Sequence, residues 1–216
     1  MTPTVQLDAL ILDFGGVLYP IDYDAPVRSF SALGFDDFAA FYHQASQHRW
    51  FDDLEIGAMS DVAFLAALKA HCRPGATAGD VRKAWNSILL RMPPERLQEL
   101  EALSQSTRLF LFSNTNAIHA QEFERRLADD GLLTPFQACF QAVHYSHVLG
   151  LRKPHPDSFS ALCARHGLAP SRTGFVDDSL HHVKGARAAG LHGLHFHPDA
   201  GTTLPAAIAA AGWRFN

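Results

Sequence analysis

The sequence is short of the features that mark several broad classes of protein. Among 216 residues there are three cysteines, Cys72, Cys139 and Cys163, irregularly spaced and without a Cys-x-x-Cys pair. That pattern argues against a disulfide framework and for free thiols in a reducing cytoplasm. Lys and Arg number 18 against 22 Asp and Glu, a formal charge of −4, and no basic run occurs. A nucleic-acid partner would call for a basic face, so none is expected. No apolar stretch approaches the length of a membrane span, which removes a membrane partner. The segment from Met1 to Asp8 lacks the basic start and long apolar run of a secretory signal. Internal repeats and low-complexity tracts are also missing. Histidine is plentiful, at thirteen, with His181-His182 adjacent and His192, His195 and His197 along one candidate strand. No carboxylate or cysteine recurs beside them at ligand spacing, so no transition-metal site is expected.

What is present is a hydrophobic fraction of 47%, ample for a packed core, arranged in a regular order. Runs rich in Val, Ile, Leu and Phe occupy residues 8 to 13, 108 to 112, 139 to 143, 173 to 176 and 191 to 196. Residues 5 to 13 read as one strand. Most of these runs are separated by segments of helical spacing, which predicts an α/β fold: a Rossmann-like parallel sheet with helices on both faces. Pro156 to His166 and Ser179 to Ala189 read as helices, each stopped by a glycine, Gly167 and Gly190. The alternation fails between Leu18 and Leu109. That interval predicts helices near 24 to 33, 36 to 49, 60 to 72, 78 to 91 and 94 to 104. So much helix is too long for a crossover. It predicts a small helical cap over residues 20 to 92, inserted into an α/β core of residues 1 to 19 and 93 to 216, with Pro93-Pro94 marking the return.

Four short segments at predicted strand ends carry the chemistry. In an open parallel sheet, ligands collect at the carboxyl ends of the strands. Asp13 sits at the first, followed by Gly15-Gly16, whose backbone approaches an anion closely. A carboxylate there can attack phosphorus. Ser113-Asn114 ends the second, offering a hydroxyl and backbone N–H groups to a phosphate; it also suits a helix cap near residue 116, and a helix start is itself an anion site. Lys153, stiffened by Pro154 and Pro156, supplies a fixed ammonium able to neutralise nucleophile and phosphate. Asp177-Asp178 places two acids side by side, and such a pair wants a cation. Magnesium takes oxygen ligands and commonly sits on one or two carboxylates plus a substrate phosphate. It would bridge Asp13, the carbonyl of Gly15, one of the acidic pair and the phosphate.

Taken in order, Asp13-Phe14-Gly15-Gly16-Val17-Leu18, Ser113-Asn114, Lys153-Pro154 and Asp177-Asp178 resemble the four motifs of the haloacid dehalogenase superfamily. Glu55-Ile56-Gly57 through Ser60 and Phe64 resembles the helical cap of the subgroup whose insert follows the first strand. The resemblance implies hydrolysis of a small phosphorylated metabolite, such as a sugar phosphate, through an aspartyl-phosphate. It makes Asp13 the nucleophile, puts Ser113 and Lys153 on the phosphate, and makes Asp178 a direct magnesium ligand with Asp177 acting through water. One position departs from the pattern. Most phosphatases of this family carry a second aspartate two residues after the nucleophile, which protonates the leaving group; here Gly15 stands there. Three outcomes stay open: a substrate whose leaving group needs little help, as in the similar sugar 1-phosphate phosphatase subgroup; a substitute acid such as His43, His48 or Tyr23; or phosphate binding with weak turnover. A haloacid dehalogenase is a further alternative, because that reaction needs no acid at this position. Phe41, Tyr42, His48, Arg49, Trp50 and Trp85 are the aromatic and basic cap residues that face either substrate or cap core.

Overall fold

The computed structural model describes residues 4–43, 46–47, 49–198 and 201–215. The chain opens with β1 (Val5–Leu7) and β2 (Ala9–Leu12). Helices α1 (Asp24–Ala32) and α2 (Phe38–Phe41) follow, then a small hairpin of β3 (Tyr42–His43) and β4 (Ser46–Gln47). Next come α3 (Arg49–Glu55), α4 (Asp61–Lys69), α5 (Ala78–Asn86) and α6 (Pro94–Ser104). Alternation then resumes with β5 (Arg108–Ser113), α7 (Ala117–Asp129), α8 (Leu133–Ala138), β6 (Ala142–Tyr145), α9 (Ser146–Leu149) and α10 (Pro156–His166). The chain closes with β7 (Thr173–Asp177), α11 (Leu180–Ala188), β8 (His192–His195), α12 (Leu204–Ala210) and β9 (Trp213–Phe215).

The main sheet has the order β6-β5-β2-β7-β8, and every pairing in it is parallel. β2 lies at its centre, which is why Ala9, Leu10, Ile11 and Leu12 are all buried and apolar without alternation. The register sets Leu10 beside Leu109 on one side and Gly174 on the other. Two apolar layers flank the sheet. One joins Leu10, Leu12, Leu111 and Val176 to Leu100, Phe123, Phe136 and Ile208. The other joins Ile11, Phe110, Phe112 and Phe175 to Phe159, Leu162 and Ala186. A third cluster gathers Phe30, Phe38, Phe51, Phe64, Leu68, Val81 and Trp85 from α1 to α5 and reaches Ile118 of α7. The helices after β2 therefore have a core of their own and rest on the start of α7.

Three elements differ from the sequence reading, and the C-terminal strand is among those it did not anticipate. The first strand is split at Asp8. Its N–H donates to the Arg172 carbonyl, and its carboxylate pairs with the Arg172 guanidinium. β1 leaves the main sheet there to pair in parallel with β9, the C-terminal strand that periodicity did not reveal. The helix expected over 36 to 49 breaks after Phe41. Tyr42 steps into extended backbone (φ −126°, ψ 108°), and its ring packs on Phe51 and Trp85. The third main-sheet strand also starts later than expected, at Ala142. Among the described residues, no helix is long and apolar enough to cross a membrane.

Candidate active site

Asp13 follows the last residue of β2, where its N–H donates to the Val176 carbonyl at 3.0 Å. The chain then turns back on itself. Leu18 and Tyr19 both donate to the Phe14 carbonyl, and Gly16 donates to the Tyr19 carbonyl at 2.9 Å. Gly16 is required by this turn: its φ is +80°, and a Cβ would fall 2.2 Å from Asp178 Oδ2. Gly15 is different. A Cβ there would meet only the Ile21 side chain, at 3.4 Å. The backbone therefore tolerates a Cβ at position 15.

Lys153 is the centre of the charge arrangement. Its side chain is 0% exposed, and Nζ donates to Asp13 Oδ1 at 2.6 Å and to Asp177 Oδ2 at 2.7 Å. The ammonium also lies 5.6 Å from the Phe112 ring centroid and 5.3 Å from that of Phe175. The Lys153–Pro154 peptide is cis. Asn114 holds this loop from the next strand over. Its Nδ2 donates to the Lys153 carbonyl at 2.9 Å, and its Oδ1 accepts from the Lys153 N–H at 3.0 Å. From behind, Gly185 lets α11 press on the loop, since a Cβ there would sit 2.0 Å from the Pro154 carbonyl oxygen.

The electrostatics follow from burial. Burial would lower the Lys153 ammonium, but Asp13 and Asp177 outweigh it and push it up. Burial would raise Asp177, but Lys153 and then His182 hold it down. Asp13 is pushed up by burial and by Asp177, against the pull of Lys153. Asp178, with burial and two neighbouring acids against it and only a weaker pull from Lys153, is pushed up further. The three acids thus gather around the Lys153 ammonium. The donor set fits a hard divalent ion: one oxygen each from Asp13, Asp177 and Asp178 lie within 4.8 Å of one another. Asp177 is already engaged by Lys153, by the Ser179 N–H at 2.8 Å and by His182 Nδ1 at 3.0 Å. Asp178 is the acid with capacity to spare.

The structure brings Asp13, Gly15, Asn114 and Asp178 onto one cavity of about 130 Å³, and Ser113, Gly15 and Asn114 onto an adjoining one of about 100 Å³. Ser113 is buried at the end of β5. It is not the helix cap: Asn116 caps α7 by accepting from the His119 N–H at 3.0 Å. The Asn114 side chain clamps the lysine loop and is committed there. Of the substitute acids, Tyr23 lines both cavities, and burial pushes its phenol up. The His43 side chain and all of His48 lie outside the described residues. Tyr42 lines both cavities too. Phe41, Trp50 and Trp85 pack within or against the helical cluster, and Arg49 pairs with Asp53. His192 and His195 face the Ser171 and Asp178 carbonyls and form no metal-ligand cluster among the described residues. Three site-lining residues were not singled out from sequence: Glu55, Arg152 and His182. Glu55 opens the cap segment, Arg152 precedes Lys153 and His182 belongs to an adjacent histidine pair, but nothing in the spacing gave them a direction.

Comparison with known proteins adds to this geometry. Residues 7–190 match the family described as haloacid dehalogenase-like hydrolase. The chain is 28% identical over 193 residues to D-ribitol-5-phosphate phosphatase of Bacteroides thetaiotaomicron, covering 89% of this chain and 92% of that protein. A HAD family enzyme of the same organism, crystallised with magnesium and inorganic phosphate, superposes with a TM-score of 0.75 at 24% identity, over 88% of this chain and 93% of that one. A predicted HAD-like family hydrolase of Porphyromonas gingivalis gives 0.75 at 28% identity, over 88% and 91%. An L-2-haloacid dehalogenase of Xanthobacter autotrophicus gives 0.60 at 21%, over 88% and 77%, a likeness of fold.

Proposed function

This chain belongs to the haloacid dehalogenase-like hydrolase family, and from that premise we propose that it is a magnesium-dependent phosphatase of small phosphorylated metabolites, sugar or polyol phosphates foremost. The observation that carries the reading is the buried ammonium of Lys153 between Asp13 and Asp177, with Asp178 alongside and in no salt bridge among the described residues. A haloacid substrate gives a tandem of acids at the end of β7 nothing to do. A phosphate monoester does, because its dianion must be brought against an anionic nucleophile. The relative that acts on D-ribitol 5-phosphate supports the polyol class.

In this reading, residues 1–19 and 93–216 form the catalytic core and residues 20–92 the cap that closes over it. Lys153 holds Asp13 Oδ1 and leaves Oδ2 to attack phosphorus. The bond to the ester oxygen breaks and an aspartyl-phosphate forms. Lys153, the Ser113 hydroxyl and the Asn114 N–H take up charge on the phosphoryl oxygens. Asp178, Asp13 and the Gly15 carbonyl would hold magnesium directly, and Asp177 through water. When bound, the ion screens nucleophile from substrate and polarises a phosphoryl oxygen. Water then attacks phosphorus and frees Asp13.

The test is a panel of phosphorylated metabolites, including D-ribitol 5-phosphate and an aryl phosphate, assayed with magnesium and with excess chelator. Magnesium-dependent release of phosphate from at least one is expected. Binding of phosphate without release from any of them would instead identify a phospho-ligand binding protein on this scaffold.

A further inference from the structure

One wall of the cavity is left idle by the steps above. Glu55, the last residue of α3, lines both chambers: the one containing Asp13 and Asp178, and the one containing Ser113. It comes from the cap side, opposite the sheet edge that presents Asp13. Its placement is fixed closely. Gly57 follows it with φ +71°, and a Cβ there would lie 2.5 Å from the His147 carbonyl oxygen, so the end of α3 sits directly on the core beside α9. Arg152, the neighbour of Lys153, reaches across to the same helix end. Its guanidinium hydrogen-bonds Asp52. Its Nη2 lies 2.9 Å from Glu55 Oε2, yet that oxygen is buried without an aligned hydrogen bond. Glu55 is therefore a carboxyl pinned in the pocket wall with hydrogen-bonding capacity unused.

We propose that Glu55 is the acid and base for the leaving oxygen, the role that no side chain at position 15 can fill. The proposal rests on the phosphatase reading above. As Asp13 Oδ2 bonds to phosphorus, the P–O bond to the substrate breaks and its electron pair stays on the leaving oxygen. The Glu55 carboxyl gives that oxygen its proton, and a neutral alcohol departs. Glu55, now a carboxylate, takes a proton from water as the water oxygen bonds to phosphorus. The bond from phosphorus to Asp13 breaks, inorganic phosphate leaves, and both acids return to their starting states. The placement of Glu55 on both chambers carries the assignment; burial pushes its carboxyl up from the ordinary range against the pull of Arg152, the direction a proton donor needs. The other groups facing it are Asp52, which raises it, and His182 and Lys153, which lower it; the Tyr23 and Tyr42 phenols also couple to it. Those phenols are themselves pushed above their ordinary range, a poorer match to the task.

The experiment compares wild type and Glu55→Gln on 4-nitrophenyl phosphate, whose leaving group needs little proton, and on the alkyl phosphate that wild type cleaves fastest in the metabolite panel. Glutamine keeps the shape of the pocket wall, and a thermal unfolding scan checks the fold. The expected loss in kcat/KM is on the order of 10²–10⁴ for the alkyl phosphate, at least ~10-fold larger than for the aryl ester. The fall of wild-type alkyl activity at high pH should disappear in the variant. Equal losses on both substrates, no loss on either, or an unchanged pH profile overturns the proposal; a purely structural role gives the first of these. Wild-type cleavage of the aryl ester alone also overturns it while leaving the phosphatase reading in place. No magnesium-dependent hydrolysis of either ester defeats that reading itself.

Discussion

Lys153 shows how a single side chain can be both costly and indispensable. It is a fully buried cation held by two carboxylates and two aromatic faces. Removing one member of a buried ion pair leaves an uncompensated charge, at a cost of about 3–5 kcal/mol. Lys153→Met is therefore expected to lower the denaturation midpoint markedly as well as to abolish turnover, measured by urea titration and phosphate release. Gly15→Asp is expected to behave in the opposite way. The Cβ at position 15 meets only Ile21, so the variant should still fold, losing less stability than Gly16→Ala, where φ is +80° and Asp178 stands in the way. Thermal melts of the pair check both. Sequence singled out Asp13, Ser113 and Asp177 because each is a chemically distinctive type at the end of an apolar run; Lys153, expected at a strand end too, lies instead in the loop after α9. Sequence did not reveal that Asn114 clamps the Lys153 backbone. An amide has no spacing signature, and its partner lies 39 residues away.

At the scale of elements, the helices after β2 meet the rest of the fold at α3 on α9 and at α5 on α7, among other contacts. In the second, the His119 ring stacks on Trp85 with centroids 4.5 Å apart. Its Nδ1 faces the Asn116 amide nitrogen at 3.1 Å, and its Nε2 faces the Trp85 carbonyl at 3.2 Å. That pattern fixes a neutral ring, with Nε2–H donating and Nδ1 accepting. Burial holds this imidazole down to about 4. Its folded value lies below the unfolded value of about 6.5, so the unfolded chain takes the proton first. Stability is complete above about pH 6.5 and is lost as pH falls toward 4, by about 3 kcal/mol for this residue. His144, held down to about 4 by burial, acts in the same direction. Asp13 and Asp178, pushed up in the fold, act in the opposite direction, so the test is a difference: as pH falls from 7.5 to 4, the unfolding midpoint of wild type should lose ground relative to that of His119→Gln. The first contact tests separately: Gly57→Ala forces α3 away from the His147 carbonyl and should lower kcat/KM at least ~10-fold by misplacing Glu55. The strong helices and strands were legible from periodicity. The failures came where tertiary contact outweighed local pattern, at Asp8, drawn to Arg172, and at Tyr42, drawn onto Phe51 and Trp85. β9 has only three residues, too few for a periodic signal.

For the molecule as a whole, the parallel order β6-β5-β2-β7-β8 brings residues 13, 113 and 177 to the same edge although about 100 residues separate the first two. The helices after β2 leave that edge intact: they keep an apolar cluster of their own that reaches Ile118 of α7, and Ile88, Leu89 and Met92 join the main core. The edge concentrates three acids around one close ammonium, and the folded state bears their repulsion. A divalent cation should relieve it. Magnesium at about 100 times its dissociation constant would add about 2.7 kcal/mol, a rise of several degrees in melting temperature for a chain of this size. Differential scanning fluorimetry should show that rise in wild type, its loss with excess chelator, and its absence in Asp178→Asn.

The account stands on Asp13 as the atom donor to phosphorus, and the most direct measurement is magnesium-dependent phosphate release by Asp13→Asn beside wild type. The substitution keeps the Lys153–Asp177 pair and the shape of the site, so the fold should persist. Release is predicted to fall to the uncatalysed background. Asp13→Asn turning over substrate at a rate comparable to wild type would contradict the account.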